Sequence, residues 1–182
     1  MPEGGLKAGS SSLRWFVLVI PLLIADQWSK QAVVAGLAEN ERINLLPIFD
    51  LVRFHNPGAA FSLLADAGGW QQWFFTAIAM VVSIGIICYL WSLPVKGCRV
   101  LSTGLALVLS GAIGNLIDRL MYGYVVDFLL FYYESWSWPA FNVADSAISV
   151  GVVLIIYDAF FLEPKRMRQL AATGVQSSDH SS

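Results

Sequence analysis

The sequence predicts an α-helical integral membrane protein with four transmembrane helices, a small extracytoplasmic β-rich cap and an interfacial aromatic segment. Of its 182 residues, 57% are hydrophobic and only 13% are charged, whereas soluble domains average about 25% charged residues. The mean hydropathy is +0.63, and several apolar segments are long enough to cross about 30 Å of hydrocarbon. These properties exclude an ordinary soluble domain and favour one compact bundle in a membrane.

The first apolar segment spans about residues 13–34 and follows a polar tail, 1–12, that we expect to be disordered. A cleaved signal peptide is the alternative interpretation of this segment, because small residues follow its apolar part. Asp26 and Lys30 favour a retained helix instead, since their i, i+4 spacing places an oriented ion pair on one helix face.

Residues 37–69 are too polar to span a membrane, and we expect them to form the β-rich extracytoplasmic cap. Apolar residues alternate with other residues around Pro47, as in short strands. Asn56-Pro57-Gly58 is a turn signal. We expect this cap to rest on the extracytoplasmic surface of the membrane.

Three further spans are predicted at about residues 73–93, 100–118 and 145–162. The first of these contains no charged residue and is the clearest transmembrane segment of the chain. A short basic turn, Pro94-Val95-Lys96-Gly97-Cys98-Arg99, separates it from the next span.

Residues 120–142 contain nine aromatic residues and no lysine or arginine, which is typical of a segment that lies in the membrane interface. A second polar tail, 169–182, is expected to be disordered. The membrane domain would therefore comprise residues 13–168.

Lysines and arginines near the segment ends predict the orientation, because cytoplasmic loops carry an excess of positive charge. Most of these residues fall on one predicted side: Lys7, Arg14, Lys96, Arg99, Lys165, Arg166 and Arg168. We therefore expect both termini in the cytoplasm and the cap on the opposite side.

Polar side chains on three predicted helices converge at one depth. The helical rise places Asp26 and Lys30 about 20–26 Å from the cytoplasmic end of the first helix. Asn115 and Asp118 lie about 23–27 Å along the third helix by the same rise, and Asp145 begins the fourth at its outer end. Ionisable groups at membrane depth are costly, so this convergence predicts a functional site near the outer boundary.

Asp127 and Asp145 are the candidate catalytic pair. Two facing carboxylates cannot both ionise easily, so one would keep a proton while the other activates a water for attack on a carbonyl. Alternatively, Asp145 only caps a helix, where a carboxylate contributes about 0.3–1 kcal/mol, and Asp127 is an interface charge. Spacing alone leaves both interpretations open.

Five blocks of sequence share one resemblance. In chain order they are Asp26-Gln27-Trp28-Ser29-Lys30, Asn56-Pro57-Gly58-Ala59-Ala60-Phe61-Ser62, Gly114-Asn115-Leu116-Ile117-Asp118-Arg119, Val125-Val126-Asp127-Phe128 and Phe141-Asn142-Val143-Ala144-Asp145-Ser146. Together they resemble the motifs of lipoprotein signal peptidase, the signal peptidase II family of bacteria, over about residues 14–162. Pro57 departs from the residue usual between Asn and Gly in that family, while the flanking residues agree.

The resemblance implies a four-helix aspartic endopeptidase of the bacterial inner membrane, with its active site near the periplasmic face. Such an enzyme removes the signal peptide from diacylglyceryl-modified prolipoproteins, on the N-terminal side of the lipidated cysteine. Asp127 and Asp145 match the family's catalytic pair. Positions that bind substrate or support the site would be Asn56, Asn115, Asp118, Arg119, Asn142, Asp26 and Lys30.

The implied partners are lipid-modified prolipoproteins, membrane lipid and an inhibitor of the globomycin type. The resemblance implies neither a cofactor nor a nucleic acid, and we expect a monomer. No metal site is predicted, because His55 stands alone in the membrane domain and the sequence contains no HExxH motif.

Two other functions are considered. A serine–lysine peptidase would use Ser29 beside Lys30, but adjacent residues of a helix point apart. A transporter or proton-relay subunit would use Asp26, Asp118 and Asp145 as carriers, but transporters usually show internal repeats and midplane sites. We find no repeat in the sequence. Peptide cleavage in proteoliposomes would support the enzyme, and solute flux would support the transporter.

Overall fold

The computed structural model describes residues 12–58, 69–93 and 97–170. Its helices and strands are α1 (Ser12–Gly36), β1 (Arg42–Leu46), β2 (Phe49–Asn56), α2 (Trp70–Ser92), α3 (Arg99–Tyr122), β3 (Val125–Tyr133), β4 (Trp136–Ser137) and α4 (Val143–Tyr157). A π-helical turn, Asp158–Leu162, continues α4, and the helical segment extends to Leu170. Almost all of both predicted tails, residues 59–68 of the cap and residues 94–96 of the basic turn lie outside the described ranges.

Four helices of the described chain are long and apolar enough to cross a membrane, which confirms the predicted number. The span predicted to end at 118 continues to Tyr122. It ends there because Gly123 adopts a left-handed conformation, with φ of 83°, and its N–H donates to the carbonyl of Arg119. Glycine is the residue that adopts this helix-ending conformation most easily.

Helix α3 occupies the centre of the bundle and contacts α1, α2 and α4. In α3, 56% of the membrane-spanning window is buried, against 17–22% in the other three helices. Polar groups on α3 therefore face protein, whereas most of each outer helix is free to face lipid.

Helix α4 packs directly against the backbone of α3 through glycines. A Cβ atom on Gly104 would lie 2.8 Å from the Gly151 carbonyl, and one on Gly151 would lie 2.6 Å from the Gly104 carbonyl. A Cβ on Gly111 would clash with the carbonyl of Ala144. Only glycine allows such close approach, and this contact fixes the start of α4, where Asp145 lies.

The four strands form one antiparallel sheet in the order β1-β2-β3-β4. Strand β3 pairs with β2 so that Asp127 lies opposite Phe54 and Val125 lies opposite Asn56. The predicted cap and the aromatic segment are therefore parts of a single sheet.

The aromatic segment has more internal structure than the sequence predicts. Its first residues extend α3, and most of the remainder forms β3 and β4. Residues 125–128 are all buried, which differs from a strand with one solvated face. Helices α1 and α3 both contact this strand. This burial brings Asp127 into the interior.

Candidate active site

The polar side chains that the sequence places at one depth meet where α1, α3 and α4 approach β3. Six of them are buried: Asp26, Lys30, Asn115, Asp118, Asp127 and Asn142. Three are partly exposed: Asn56, Arg119 and Asp145. The structure thus brings together all nine candidate residues in one connected cluster, with the exposed members at its edge.

Lys30 joins α1 to α3 through a buried ionic group. Its Nζ lies 2.9 Å from Asp26 Oδ2 and 3.1 Å from Asp118 Oδ2. It also donates to Asn115 Oδ1 at 2.9 Å. These three partners use the whole donor capacity of the ammonium group, and an ammonium group has no lone pair with which to accept a proton from a serine hydroxyl.

The same two carboxylates also bind backbone groups of other elements. Asp26 Oδ1 accepts a hydrogen bond from the N–H of Ala144 at 2.8 Å, one of the first N–H groups of α4, which have no partner inside the helix. Asp118 Oδ2 accepts from the N–H of Val126 at 3.1 Å. Asp26 therefore ties α1 to α4, and Asp118 ties α3 to β3.

Gln27 belongs to this cluster, although the sequence analysis did not identify it. Its Nε2 donates to Asp26 Oδ2 at 3.1 Å, to Asp118 Oδ1 at 3.0 Å and to the carbonyl of Gly114 at 3.1 Å. A neighbour of Asp26 in a helix is expected to point elsewhere. No spacing signal marked Gln27, and only its position within a family block could have identified it.

Asn142 connects the two candidate catalytic carboxylates. Its Nδ2 donates to Asp127 Oδ1 at 2.8 Å, while its Oδ1 accepts from the N–H of Asp145 at 2.9 Å. The N–H of Asn142 donates back to Asp145 Oδ2 at 3.2 Å, which completes a capping box at the start of α4. Asp145 is thus a helix-capping residue, as the alternative interpretation holds, and it also lies beside the partner of Asp127.

Amide groups hold the remaining carboxylate oxygens. Asn115 donates from Nδ2 to Asp145 Oδ1 at 2.8 Å, and Asn56 donates from Nδ2 to Asp127 Oδ2 at 2.9 Å. The Oδ1 of Asn56 accepts from the N–H of Gly58 at 2.9 Å, within the predicted turn. Each carboxylate therefore accepts a hydrogen bond at both oxygens, and neither forms a direct ion pair with a lysine or arginine of the described residues.

The environment of Asp127 favours its protonated form. Burial raises the pKa of Asp127 from its ordinary value near 3.8 to about 7, and the negative charge of Asp145 adds to the effect. The Asn56 amide, the charge of Lys30 and the Asn142 amide act in the opposite direction and are weaker. Near neutral pH, a substantial fraction of Asp127 therefore carries a proton, as expected for a buried carboxyl beside a like charge.

Arg119 lies at the edge of the cluster. Its guanidinium is 5.9 Å from the ring centroid of Phe75, and its Nη1 donates to the carbonyl of Asn115 over 3.4 Å. Its Nε is buried and has no hydrogen-bond partner among the described residues. The side chain is therefore a cation with a donor available next to the two carboxylates.

Ser29, Ser146 and His55 each have a partner outside the candidate catalytic pair. Ser29 donates to the carbonyl of Asp26 at 2.8 Å, and Ser146 donates to the carbonyl of Asn142 at 2.9 Å. His55 stacks on Tyr124 with ring centroids 3.8 Å apart, and its Nδ1 lies 3.1 Å from Glu39 Oε1. Within the described ranges, no three His, Cys, Asp or Glu side chains are grouped to hold a metal ion.

The sequence of this chain is similar to those of known proteins. The family model described as signal peptidase (SPase) II matches residues 18–161. The lipoprotein signal peptidase of Neisseria meningitidis serogroup C is 49% identical over 150 residues, covering 82% of this chain and 90% of that protein. The lipoprotein signal peptidase of Shewanella loihica is 50% identical over 174 residues, covering 96% of this chain and 100% of that protein.

A solved structure of a bacterial membrane enzyme has a similar fold. It superimposes with a TM-score of 0.69 at 26% sequence identity, covering 80% of this chain and 87% of that chain. The likeness extends over most of the described helices and strands.

Proposed function

This chain belongs to the signal peptidase II family of bacterial membrane proteins, and from that premise we propose that it removes the signal peptide from diacylglyceryl-modified prolipoproteins. We assign the catalysis to Asp127 and Asp145 and the cut to the N-terminal side of the lipidated cysteine. The supporting observation is that Asn142 donates a hydrogen bond to each carboxylate, from its side-chain amide to Asp127 and from its backbone N–H to Asp145. The raised pKa of Asp127 provides the proton that an aspartic peptidase needs.

Asp127 and Asp145 together carry one proton. Before the reaction, that proton is on Asp127. A water bound between the carboxylates transfers a proton to Asp145 as its oxygen attacks the scissile carbonyl. Asp127 gives its proton to the carbonyl oxygen, so the tetrahedral intermediate is a neutral diol. When the diol collapses, the C–N bond breaks, the amine takes the proton from Asp145, and a hydroxyl proton returns to Asp127.

The amides around the pair supply orientation. Asn56 and Asn142 fix the two oxygens of Asp127, while Asn115 and Asn142 fix those of Asp145. Groups that already hold their reactive geometry need no rearrangement during the reaction, which lowers the barrier. We assign these three asparagines to positioning the catalytic carboxylates.

The ionic group behind the pair supports the site without contacting substrate. Asp26, Lys30 and Asp118 are each about 1% exposed, and their contacts join α1, α3, α4 and β3. Arg119 is different, because it is partly exposed and its Nε has no partner among the described residues. We assign Arg119 to binding a backbone carbonyl of the substrate.

The membrane boundary lies close to the site. Three exposed tryptophans mark the sheet ends of the outer helices: Trp28 on α1, and Trp70 and Trp73 on α2. Tryptophan is enriched where a bilayer meets water. The acyl chains of a lipidated substrate would therefore stay in the bilayer while its peptide bond reaches Asp127 and Asp145. An inhibitor of the globomycin type would occupy the same surface.

A lipidated substrate gives the direct test. Purified enzyme is incubated with one prolipoprotein in two forms, with and without the diacylglyceryl group, and the products are identified by mass spectrometry. We expect rapid cleavage of the lipidated form before its modified cysteine, because the anchored lipid positions the peptide. Equal rates for the two forms, or a cut elsewhere, would contradict the proposal.

We also propose that both termini are cytoplasmic and that the active site is near the periplasmic face. Basic residues cluster at the end of the bundle that is remote from the sheet, including Arg99, Lys165 and Arg168. A reporter active only in the periplasm should be silent when fused after Arg168 and active when inserted near Asp66. The reverse pattern would place the active site on the cytoplasmic side.

A further inference from the structure

A cavity lies between α2, α3 and α4, at the end of the bundle opposite the candidate active site. Its volume is about 750 Å³, within the range of roughly 300–1,000 Å³ typical of small-molecule sites. Its walls are largely apolar and include Tyr89, Leu93, Leu101, Leu105, Ile155 and Met167. Cys98 also lines it, and Asn115 lies roughly 25 Å further along α3 by helical rise. The cavity is therefore separate from the candidate active site.

A buried ion pair forms the polar end of this cavity. Asp158 is 1% exposed and binds Arg166 through two hydrogen bonds, Nη1 to Oδ1 at 2.8 Å and Nη2 to Oδ2 at 2.6 Å. Arg166 Nη1 also donates to the carbonyl of Gly97 at 3.1 Å. Arg166 therefore neutralises a carboxylate that is almost completely removed from solvent.

The backbone is irregular at the same place. Asp158 begins the π-helical turn that ends at Leu162. Such turns widen a helix locally and are frequent at functional sites. Here the turn lies between Asp158 and Glu163, which both line the cavity.

The charges at the cavity opening are not all paired. Arg166 is neutralised by Asp158, whereas Glu163 is exposed and forms no hydrogen bond or ion pair with another described residue. Arg99 is also exposed and lines a smaller adjoining pocket with Gly97. The opening therefore presents a carboxylate and a guanidinium next to an apolar interior.

We propose that this cavity binds a membrane glycerophospholipid that has a primary ammonium in its headgroup. One acyl chain lies against the apolar walls, the ammonium binds Glu163, and the phosphate faces Arg99. Charge complementarity selects this class, because such a headgroup presents an ammonium to Glu163 and a phosphate to Arg99, whereas an anionic headgroup without an ammonium gives Glu163 no partner. The cavity lies at an end of the membrane-spanning helices, where phospholipid headgroups are available.

Native mass spectrometry can detect such a lipid directly. The enzyme, purified in a mild detergent, is mixed with phosphatidylethanolamine or with phosphatidylglycerol of the same acyl chains. We expect saturable retention of one phosphatidylethanolamine per chain. Ala159 lines the cavity, so Ala159→Phe should abolish this retention. Ala77→Phe makes the same change on an exposed position of α2 and should have no effect.

The headgroup assignment has its own variant. Glu163→Gln should weaken phosphatidylethanolamine retention by about tenfold, which corresponds to the loss of one ionic contact, and should not weaken phosphatidylglycerol retention. Glu134→Gln, an exposed change in the turn before β4, is the matched control. Preferred retention of phosphatidylglycerol, or equal retention by Ala159→Phe and the wild type, would overturn the proposal and leave only ordinary annular lipid.

A second measurement does not depend on the folding of a cavity variant. In a Cys88→Ser chain, Cys98 is the remaining thiol, and it lines the cavity. Alkylation of Cys98 by N-ethylmaleimide should be several-fold slower in nanodiscs that contain phosphatidylethanolamine than in nanodiscs of phosphatidylcholine alone. Equal alkylation rates would contradict occupation of the cavity. Prolipoprotein cleavage by each chain verifies that the fold is intact.

Discussion

The two ends of the bundle both bury charged side chains, but their balance of charge differs. In the candidate active-site cluster at the sheet end, four carboxylates (Asp26, Asp118, Asp127 and Asp145) face one buried lysine and the partly exposed Arg119. At the opposite end, a single carboxylate, Asp158, is matched by a single guanidinium, Arg166. An excess of buried carboxylates retains a proton near neutral pH, whereas a carboxylate paired with a guanidinium is neutralised without one. The first arrangement suits proton transfer, and the second fixes a helix to a loop.

The hydrogen-bond donors to the carboxylates also differ between the two ends of the bundle. Asp127 and Asp145 receive side-chain hydrogen bonds from asparagine amides, which satisfy oxygens without neutralising their charge. Asp158 receives a bidentate guanidinium, which does both. Replacing the carboxylates one at a time should therefore have different consequences at the two ends.

Asp127→Asn or Asp145→Asn should lower the rate of prolipoprotein cleavage by about 10²–10⁴-fold, the usual contribution of a general acid or base. Asp158→Asn should leave the rate near that of the wild type, because Asp158 lies at the far end of α4. Initial rates of signal-peptide release measure all three. A loss in Asp158→Asn as large as that in Asp127→Asn would remove the distinction between the two ends.

Lys30→Met should lower the free energy of unfolding by about 3–5 kcal/mol, because it leaves Asp26 and Asp118 buried without their cation. Chemical denaturation in detergent micelles measures this change. Adding Asp118→Asn to the Lys30→Met chain should restore part of the loss, since fewer charges then remain unpaired. No recovery in the double variant would show that Lys30 acts through packing.

The pKa of Asp127 predicts how stability depends on pH. Because its folded pKa is about 7 and its ordinary value is near 3.8, the folded state binds more protons than the unfolded state between about pH 4 and pH 7. The unfolding free energy of the wild type should therefore fall as pH rises through that window. The Asp127→Asn chain has no carboxyl at this position, so its unfolding free energy does not fall in this way. Its stability relative to the wild type should therefore improve by on the order of 1–4 kcal/mol between pH 4 and pH 8.

Thermal or chemical unfolding at the two pH values gives that comparison, with each variant measured against the wild type at the same pH. A relative stability that stays constant or worsens toward pH 8 would show that Asp127 is ionised in the folded protein.

Asp158→Asn should cost less stability than Lys30→Met, about 1–3 kcal/mol. Its partner Arg166 has a side chain that is 21% exposed, against 1% for Lys30, so the guanidinium can reach water when its carboxylate is removed. Measured in the same detergent, an equal or larger loss in Asp158→Asn would show that the matched pair is as deeply buried as the ionic group of Lys30.

Ser146→Ala should have the smallest effect. It removes one hydrogen bond, from Ser146 Oγ to the carbonyl of Asn142, and typically such a bond contributes about 0.5–1.5 kcal/mol. Cleavage should continue at nearly the wild-type rate because no nucleophilic hydroxyl is proposed. Complete loss of cleavage in a folded Ser146→Ala chain would instead support a serine enzyme.

The sequence by itself determined the properties that depend on local composition and spacing. Hydropathy identified four spans, because a bilayer requires about 20 consecutive apolar residues in each helix. Helical rise placed Asp26, Lys30, Asn115 and Asp118 at one depth, and the structure joins these residues through Lys30. Family motifs singled out Asp127 and Asp145, which spacing alone did not.

Tertiary structure decided the features that depend on distant partners. Three such features are the pairing of β3 with β2, the burial of Asp158 and the contacts of Gln27. The local sequence pattern does not relate the parts of the chain that these features join. Gln27 contacts Asp118, 91 positions away. The raised pKa of Asp127 is of the same kind, since it arises from burial and from the nearby charge of Asp145. Desolvation and Coulomb interactions depend on which atoms surround a group in space, and only the folded chain specifies those neighbours.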